Sequence, residues 1–183
     1  MRAPIKNVAL SMSKSSSQSL SPTAALAGRY LLFSLAGESY AIEVGRTREI
    51  IRLTEITPLP QLPSFVRGVI NLRSKIVPIV DLRAKFVLPP EEPSERTSIV
   101  VVHVKGASGA MVWIGFIVDA VDEVTHLPAG EIEPTPDFGM QVDTSYMRAM
   151  ARTRKGVTTL LDVDHLVGGE LLARASALAA SAG

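Results

Sequence analysis

Cysteine is absent from the 183 residues, which excludes disulfides, iron–sulfur clusters, thiolate zinc sites and a cysteine nucleophile together. Secretion with disulfide support is excluded as well, and a reducing cytoplasm is allowed. Charge of one sign is also lacking: 19 Lys and Arg against 18 Asp and Glu leave a net of +1. That balance gives no reason to invoke nucleic acid or an anionic membrane surface as a partner. Long apolar runs are missing despite a mean hydropathy of +0.25. The longest uncharged apolar stretch, Gly106 to Val118, is 13 residues, short of the ~18–20 that cross a bilayer. Near the N-terminus, Arg2, Lys6 and Lys14 with Ala25-Leu26-Ala27 imitate an export signal, but the apolar centre such a signal needs is replaced by serines.

Catalytic signatures are equally scarce. No G-x-G-x-x-G or G-x-x-x-x-G-K-[ST] occurs, so no nucleotide cradle is written in the chain. His103, His126 and His165 lie 23 and 39 residues apart, with no spacing typical of a metal or metalloprotease site. Asp162 and Asp164, or Asp119, Asp122 and Glu123, are sequence neighbours, and neighbours on one strand or turn seldom face each other across a cleft as paired catalytic carboxylates do. The calcium-loop pattern is absent. No catalytic residue, metal or cofactor is expected.

What is present is β-type material. Aromatics are only 5% within an apolar fraction of 46%, and Val, Ile and Leu dominate it, as in sheets. Residues 1–28 read as a disordered tail: seven of the eleven residues from Ser11 to Ser21 are serine, and no acid precedes Glu38. The chain after Arg29 then carries 15 basic against 18 acidic residues, a net of −3. Short β-branched runs follow at Tyr30–Leu35, Tyr40–Val44, Val66–Leu72, Ile76–Val80, Ser98–Val104, Val112–Val118 and Val157–Leu161. Asp119 to Glu123 looks like a polar exit from a strand. Pro58, Pro60 and Pro63 make a stiff connector, and the Pro- and Glu-rich stretch around 88–97 is the expected midpoint. Residues 169–183 read as a C-terminal helix or tail.

The midpoint suggests a repeat. An offset of 74 pairs Ile42 with Phe116, Val44 with Val118, Glu49 with Glu123 and Ile50 with Val124. An offset of 81 pairs Phe65 with Tyr146, Arg67 with Arg148, Arg73 with Arg154 and Asp81 with Asp162. Two collinear blocks imply two similar all-β units of about 60–70 residues, a size at which each gains from packing on the other.

Within Pro63–Arg83, Arg67, Asn71 and Arg73 alternate with Val66, Ile70 and Leu72. Period-2 alternation puts the three polar groups on one face and the apolar ones against a core. Gly68 leaves room for another backbone or a partner to approach. The plain reading of this stretch is a half-solvated strand whose arginines pair with Glu49 or Asp81.

This stretch, with Arg48-Glu49-Ile50-Ile51 and the proline-rich link before it, closely resembles the CheW family of chemotaxis coupling proteins. The resemblance runs through I-T-P-L-P, F-V-R-G-V-I-N-L-R and I-V-P-I-V-D-L-R to Gly115–Asp119, Val121–Val124, Ile132-Glu133-Pro134 and Leu160-Leu161-Asp162, and covers residues 29–168. It implies an all-β fold of two SH3-like five-stranded β-barrel subdomains packed together, split near 88–97, and no catalytic activity. It further implies a cytoplasmic adaptor that joins a methyl-accepting chemoreceptor tip to the regulatory domain of a CheA-type histidine kinase, and to other CheW-like subunits, in membrane-attached arrays without itself inserting into the membrane. By position, Val44, Thr47, Val118, Val121 and Val124 would line the apolar groove that holds the receptor tip. Glu49 and Arg73 match polar coupling positions, and Arg67, Gly68 and Asn71 belong to the same motif.

Three departures stand out. Ser74 and Ala149 occupy positions that are often Gly in the family, and Thr47 one that is usually apolar. They leave open an adaptor of a non-flagellar pathway, with pili or a second messenger as output, or a regulatory module of a CheV-like protein. The basic run Arg148–Lys155 reads either as a solvated strand and turn or as a dock for an acidic surface.

Overall fold

The computed structural model describes residues 21–139 and 141–181. Among the described residues eleven strands form two sheets, and the helices are short until the C-terminus. Strands β1 (Gly28–Leu35), β2 (Glu38–Glu43), β8 (Ala120–Leu127), β9 (Ile132–Glu133), β10 (Met147–Thr153) and β11 (Gly156–Leu161) make the first sheet, in the order β8-β1-β2-β11-β10-β9. Strands β3 (Thr47–Arg52), β4 (Val66–Leu72), β5 (Lys75–Asp81), β6 (Ser98–Lys105) and β7 (Met111–Val118) make the second, in the order β3-β6-β7-β5-β4. Helices α1 (Leu82–Lys85), α2 (Val163–Val167) and α3 (Gly169–Ser181) complete the chain. The all-β expectation is met, with six strands rather than five in the first sheet.

The repeat is real down to single residues. The parallel pairing Ile79↔Gly115 in the second sheet and Leu160↔Ala41 in the first are the same contact under offsets of 81 and 74. Bulges fall at Arg67 and at Arg148. The Asp81 and Asp162 amides donate to the Phe65 and Tyr146 carbonyls, both at 2.8 Å. Each of those aspartates then caps the helix that follows it, accepting from two backbone N–H groups.

The unit boundary, however, does not lie at 88–97. Residues 47–118 build the second sheet as one continuous segment, and the first sheet takes β1 and β2 from before it and β8 to β11 from after it. The physical reason is the pair of parallel contacts, β5 with β7 and β2 with β11. Each hairpin completes the sheet of the other half of the repeat. The described part of the expected tail also departs from disorder. Ala24–Leu26 form a 3₁₀ turn, the Tyr30 hydroxyl donates to the Leu26 carbonyl at 2.6 Å, and Gly28 pairs with Leu127. Residues 1–20 lie outside the described residues. The C-terminal helix is present through Ser181.

Strands buried on both faces explain the near-continuous apolar runs. Tyr30 and Leu32 of β1 face the first sheet's own core with Ala41 and Leu160, whereas Leu31, Phe33 and Leu35 face a core shared by the two sheets. In β6, Ile99 and Val101 face the second sheet's own core, and Val100, Val102 and Val104 the shared one. Each fully buried side chain of this size contributes about 1.5–3 kcal/mol. A stacked row Phe33–Tyr40–Phe86–Tyr146, with ring centroids 6.0, 5.5 and 4.8 Å apart, runs from the first sheet across the end of α1 to the residue before β10.

Candidate functional site

β3 and β8 each pair with a single neighbour, β6 and β1, so both are edge strands. They are also equivalent under the offset of 74. Ile50 of β3 lies opposite Val100, and Val124 of β8 opposite Leu31. Val100 and Leu31 belong to the shared core, so Ile50 and Val124 sit at its rim, 44% and 45% exposed. Val121 is half-buried against the same core. Val44 is half-buried in the 3₁₀ turn between β2 and β3, and the Thr47 hydroxyl donates to the Glu43 carbonyl at 3.4 Å. Val118 is fully buried inside the shared core and offers no surface to a partner. Its place in the expected groove is corrected: strand alternation turns it toward the opposing sheet.

On the opposite face of β3, at the residue before Ile50, stands an ion pair. Arg73 donates from Nε to Glu49 Oε1 at 3.0 Å and from Nη2 to Oε2 at 3.3 Å. The Arg73 hydrogen bonds hold the Glu49 carboxyl below the usual carboxylate range, and the same pairing raises the guanidinium. Arg73 is 69% exposed, so its remaining donors face solvent. It does not extend the β4 face as alternation suggested. It occupies the β4–β5 turn with Ser74, at φ +51° and +64°, the pair of positive φ values that a type I′ hairpin turn requires.

The bulge at Arg67 changes the rest of the motif. Because one residue is inserted there, Val66 faces the shared core, whereas Ile70 and Leu72 face the second sheet's own core. Arg67 pairs with Asp81 at 3.0 and 2.6 Å, and Asn71 is exposed. Gly68 is buried, and the backbone that approaches it is this chain's own. A Cβ there would lie 2.1 Å from the Thr57 carbonyl oxygen, and Thr57 pairs with Val69 through two 2.9 Å hydrogen bonds. Gly68 is thus corrected from an opening for a partner to an internal close approach.

The same polar arrangement recurs in the other sheet. Arg154 reaches Glu123 at 3.4 Å beside Val124, the counterpart of Arg73, Glu49 and Ile50 under the repeat offsets. Ile50, Glu123 and Arg154 were not singled out as site residues, yet the repeat already paired them with Val124, Glu49 and Arg73. The basic run is matched residue by residue: Arg148 with Glu43, Arg152 with Glu133, Arg154 with Glu123 and Lys155 with Asp122. That favours the solvated strand and turn. Asp122 and Glu123 belong to β8 rather than to a strand exit, and Asp122 accepts from the Ser34 hydroxyl at 2.6 Å. Among the described residues no group of three metal-ligating side chains gathers, and no helix is long and apolar enough to span a membrane.

This geometry has relatives. The CheW-like domain model matches residues 29–170. The chemotaxis protein CheW of Klebsiella aerogenes is 33% identical over 144 residues, covering 79% of this chain and 84% of that protein. The chemotaxis protein CheW of Rhizobium meliloti is 32% identical over 144 residues, covering 78% and 90%. The crystal structure of the scaffolding protein CheW from Thermoanaerobacter tengcongensis superposes with a TM-score of 0.69 at 30% identity, covering 79% of this chain and 95% of that one. With the family model spanning residues 29–170 and relatives above 30% identical over most of both lengths, the chain belongs to the CheW-like family.

Proposed function

We propose that the protein is a non-catalytic, cytoplasmic adaptor that couples methyl-accepting chemoreceptor tips to the regulatory domain of a CheA-type histidine kinase. The observation that carries this reading is the exposed edge strand β3, which presents apolar Ile50 on its shared-core face and the open Arg73–Glu49 pair on the other. It supplies an apolar anchor for a helix and a planar guanidinium for register. Its second copy, Val124 with Arg154–Glu123, gives the adaptor a surface on each sheet, as bridging two partners or further CheW-like subunits requires. Family membership supports the scaffold class. The arrays it joins are membrane-attached through the receptors, and the adaptor itself needs neither nucleic acid nor cofactor.

The test is reconstitution of kinase activation on receptor-bearing membranes. Arg73→Ala should keep the parent melting temperature, because the side chain is exposed. It should weaken kinase or receptor binding by about five- to thirty-fold. Val124→Glu should likewise fold and fail to couple. Full coupling by both variants would show that the rim is not the docking surface.

A further inference from the structure

A cleft of about 710 Å³ opens between the ends of β3 and β7 and the segment after α1, within the usual range for ligand sites. None of Glu49, Ile50, Arg73, Val121 and Val124 lines it. Its apolar lining comes from Leu53, Ile56 and Pro58 after β3, Ile117 of β7, and Pro93 of the segment between α1 and β6. Its charged lining is Arg67 and Arg83 against Asp81, Asp119, Glu91 and Glu92, two cations against four anions, a net of −2. Both cations are engaged. Arg67 is held by Asp81, and Arg83 by Asp119 at 2.7 and 2.6 Å and by Glu91. Glu92 and the neighbouring Glu95 have no cationic partner among the described residues.

The repeat supplies an internal comparison. Arg148, Asp162 and Asp164, the counterparts of Arg67, Asp81 and Arg83, line a cleft of only about 140 Å³. There Glu43 stands where this half has Ile117, and its carboxylate takes Arg148 at 2.5 Å. Ile117 offers no such acceptor, so Arg67 turns to Asp81. The chain after α1 then runs as the proline-bearing segment that lines the cleft, where the chain after α2 forms α3. One frame is closed in one half and open in the other.

We propose that the open cleft docks an extended, cationic segment of a partner protein. Its apolar side chains would lie against Leu53, Ile56, Pro93 and Ile117, and its lysines or arginines would meet Glu91 and Glu92. A purely apolar segment without Lys or Arg would bury Glu92 without a partner, and a purely cationic one would leave the apolar lining uncovered. A concave, net-negative surface concentrates cations. This contact is additional to the adaptor rim and does not depend on it.

Fluorescence anisotropy with the full chain tests it, using a labelled Pro-Leu-Lys-Pro-Leu-Lys-Gly-Gly probe and its Lys→Glu counterpart. The lysine probe should bind one to one, and the glutamate counterpart at least about tenfold more weakly. Glu91→Gln with Glu92→Gln should lose about tenfold. Ile117→Glu, which copies Glu43, should close the cleft and abolish binding; if it fails to fold, the glutamine pair still decides. Val124→Glu should bind the probe normally, which separates this site from the adaptor reading. No binding at 1 mM probe, equal binding of both probes, or parent affinity in the glutamine pair would overturn the proposal. So would binding that appears only after Arg2, Lys6 and Lys14 are replaced by Gln, because this chain's own N-terminal segment would then be the occupant.

Discussion

Val87 holds a β-branched side chain in the left-handed region, φ +56°, with 90% of its surface exposed. The equivalent residue after α2 is Gly168, which also takes a positive φ, +75° with ψ 155°, without a Cβ. Val87→Gly should therefore raise stability by about 0.5–1 kcal/mol in chemical denaturation, relief of strain exceeding the added freedom of the unfolded chain. A loss of stability would mean that contacts of the valine outweigh its backbone cost. Ser74, φ +64°, stands in a turn conformation that glycine adopts at lower cost. Gly68 is the opposite case. With φ +141° and the Thr57 carbonyl 2.1 Å from any Cβ, Gly68→Ala must displace backbone and should cost about 3 kcal/mol or more, read as a large drop in melting temperature.

At the scale of elements, two clamps tie the sheets together with their charges reversed. Arg83 of α1 grips Asp119 in the β7–β8 crossover, and Asp119 also accepts from the Ala36 amide of the β1–β2 turn at 2.8 Å. Arg46 in the β2–β3 crossover grips Asp164 of α2 at 2.9 and 2.5 Å, and Asp164 also accepts from the Lys105 amide at 3.0 Å. Arg83 and Asp164 are equivalent under the offset of 81. The Arg83 side chain is only 11% exposed and Asp119 30%, so Arg83→Ala should cost about 2 kcal/mol, less than for a fully buried pair. Burial pushes Asp119 up, but the Arg83 and Ala36 bonds outweigh it and hold the carboxyl below its ordinary 3.8. The Arg46 bond does the same for Asp164. A carboxyl lowered in the folded state stabilises fully above its unfolded value and loses that contribution as pH falls through its folded value. Melting temperature should therefore fall between about pH 5 and pH 2. The Asp119→Asn, Asp164→Asn variant should start lower at neutral pH and fall less. Equal acid slopes would assign the loss to other carboxylates. Helix α3 is held by Leu171 and Ala175, each 2% exposed in the shared core, and Leu171→Ala should cost about 2–3 kcal/mol.

For the whole molecule, nesting decides what can fold alone. A fragment ending at residue 92 holds β1 and β2 without β8 to β11, and β3 to β5 without β6 and β7. The complementary fragment lacks the other halves of both sheets, and the shared core is divided between them. Fragments 21–92 and 93–183 should each show little β-type circular dichroism, and mixing them should restore it. Independent folding of either would contradict the interlocked sheets. A fragment of residues 45–119, which keeps the second sheet's five strands together, should retain more structure than either half.

Short apolar runs between proline and glycine breaks were enough to locate seven strands, because a strand buried on both faces is apolar along its length. The repeat offsets were legible too, since equivalent cores and caps need like residues at like spacing, as Asp81 and Asp162 show. β3, β8 and β10 were less visible as strands. They lie at or near sheet edges, half in solvent, and carry charges such as Glu49, Asp122 and Arg152 that read as loop or strand exit. The sequence could not say that Arg67 sits on a bulge, because an inserted residue leaves the alternation of letters intact while exchanging the faces that follow it. Nor could it say that Val118 points inward or that Gly68 meets Thr57, because both depend on which backbone packs opposite. Composition and periodicity are local, so they determined the all-β class and the repeat. Sheet membership, the rim around Ile50 and Val124, and the open cleft beside Ile117 arise from contacts between residues distant in sequence, and only the tertiary structure decided them.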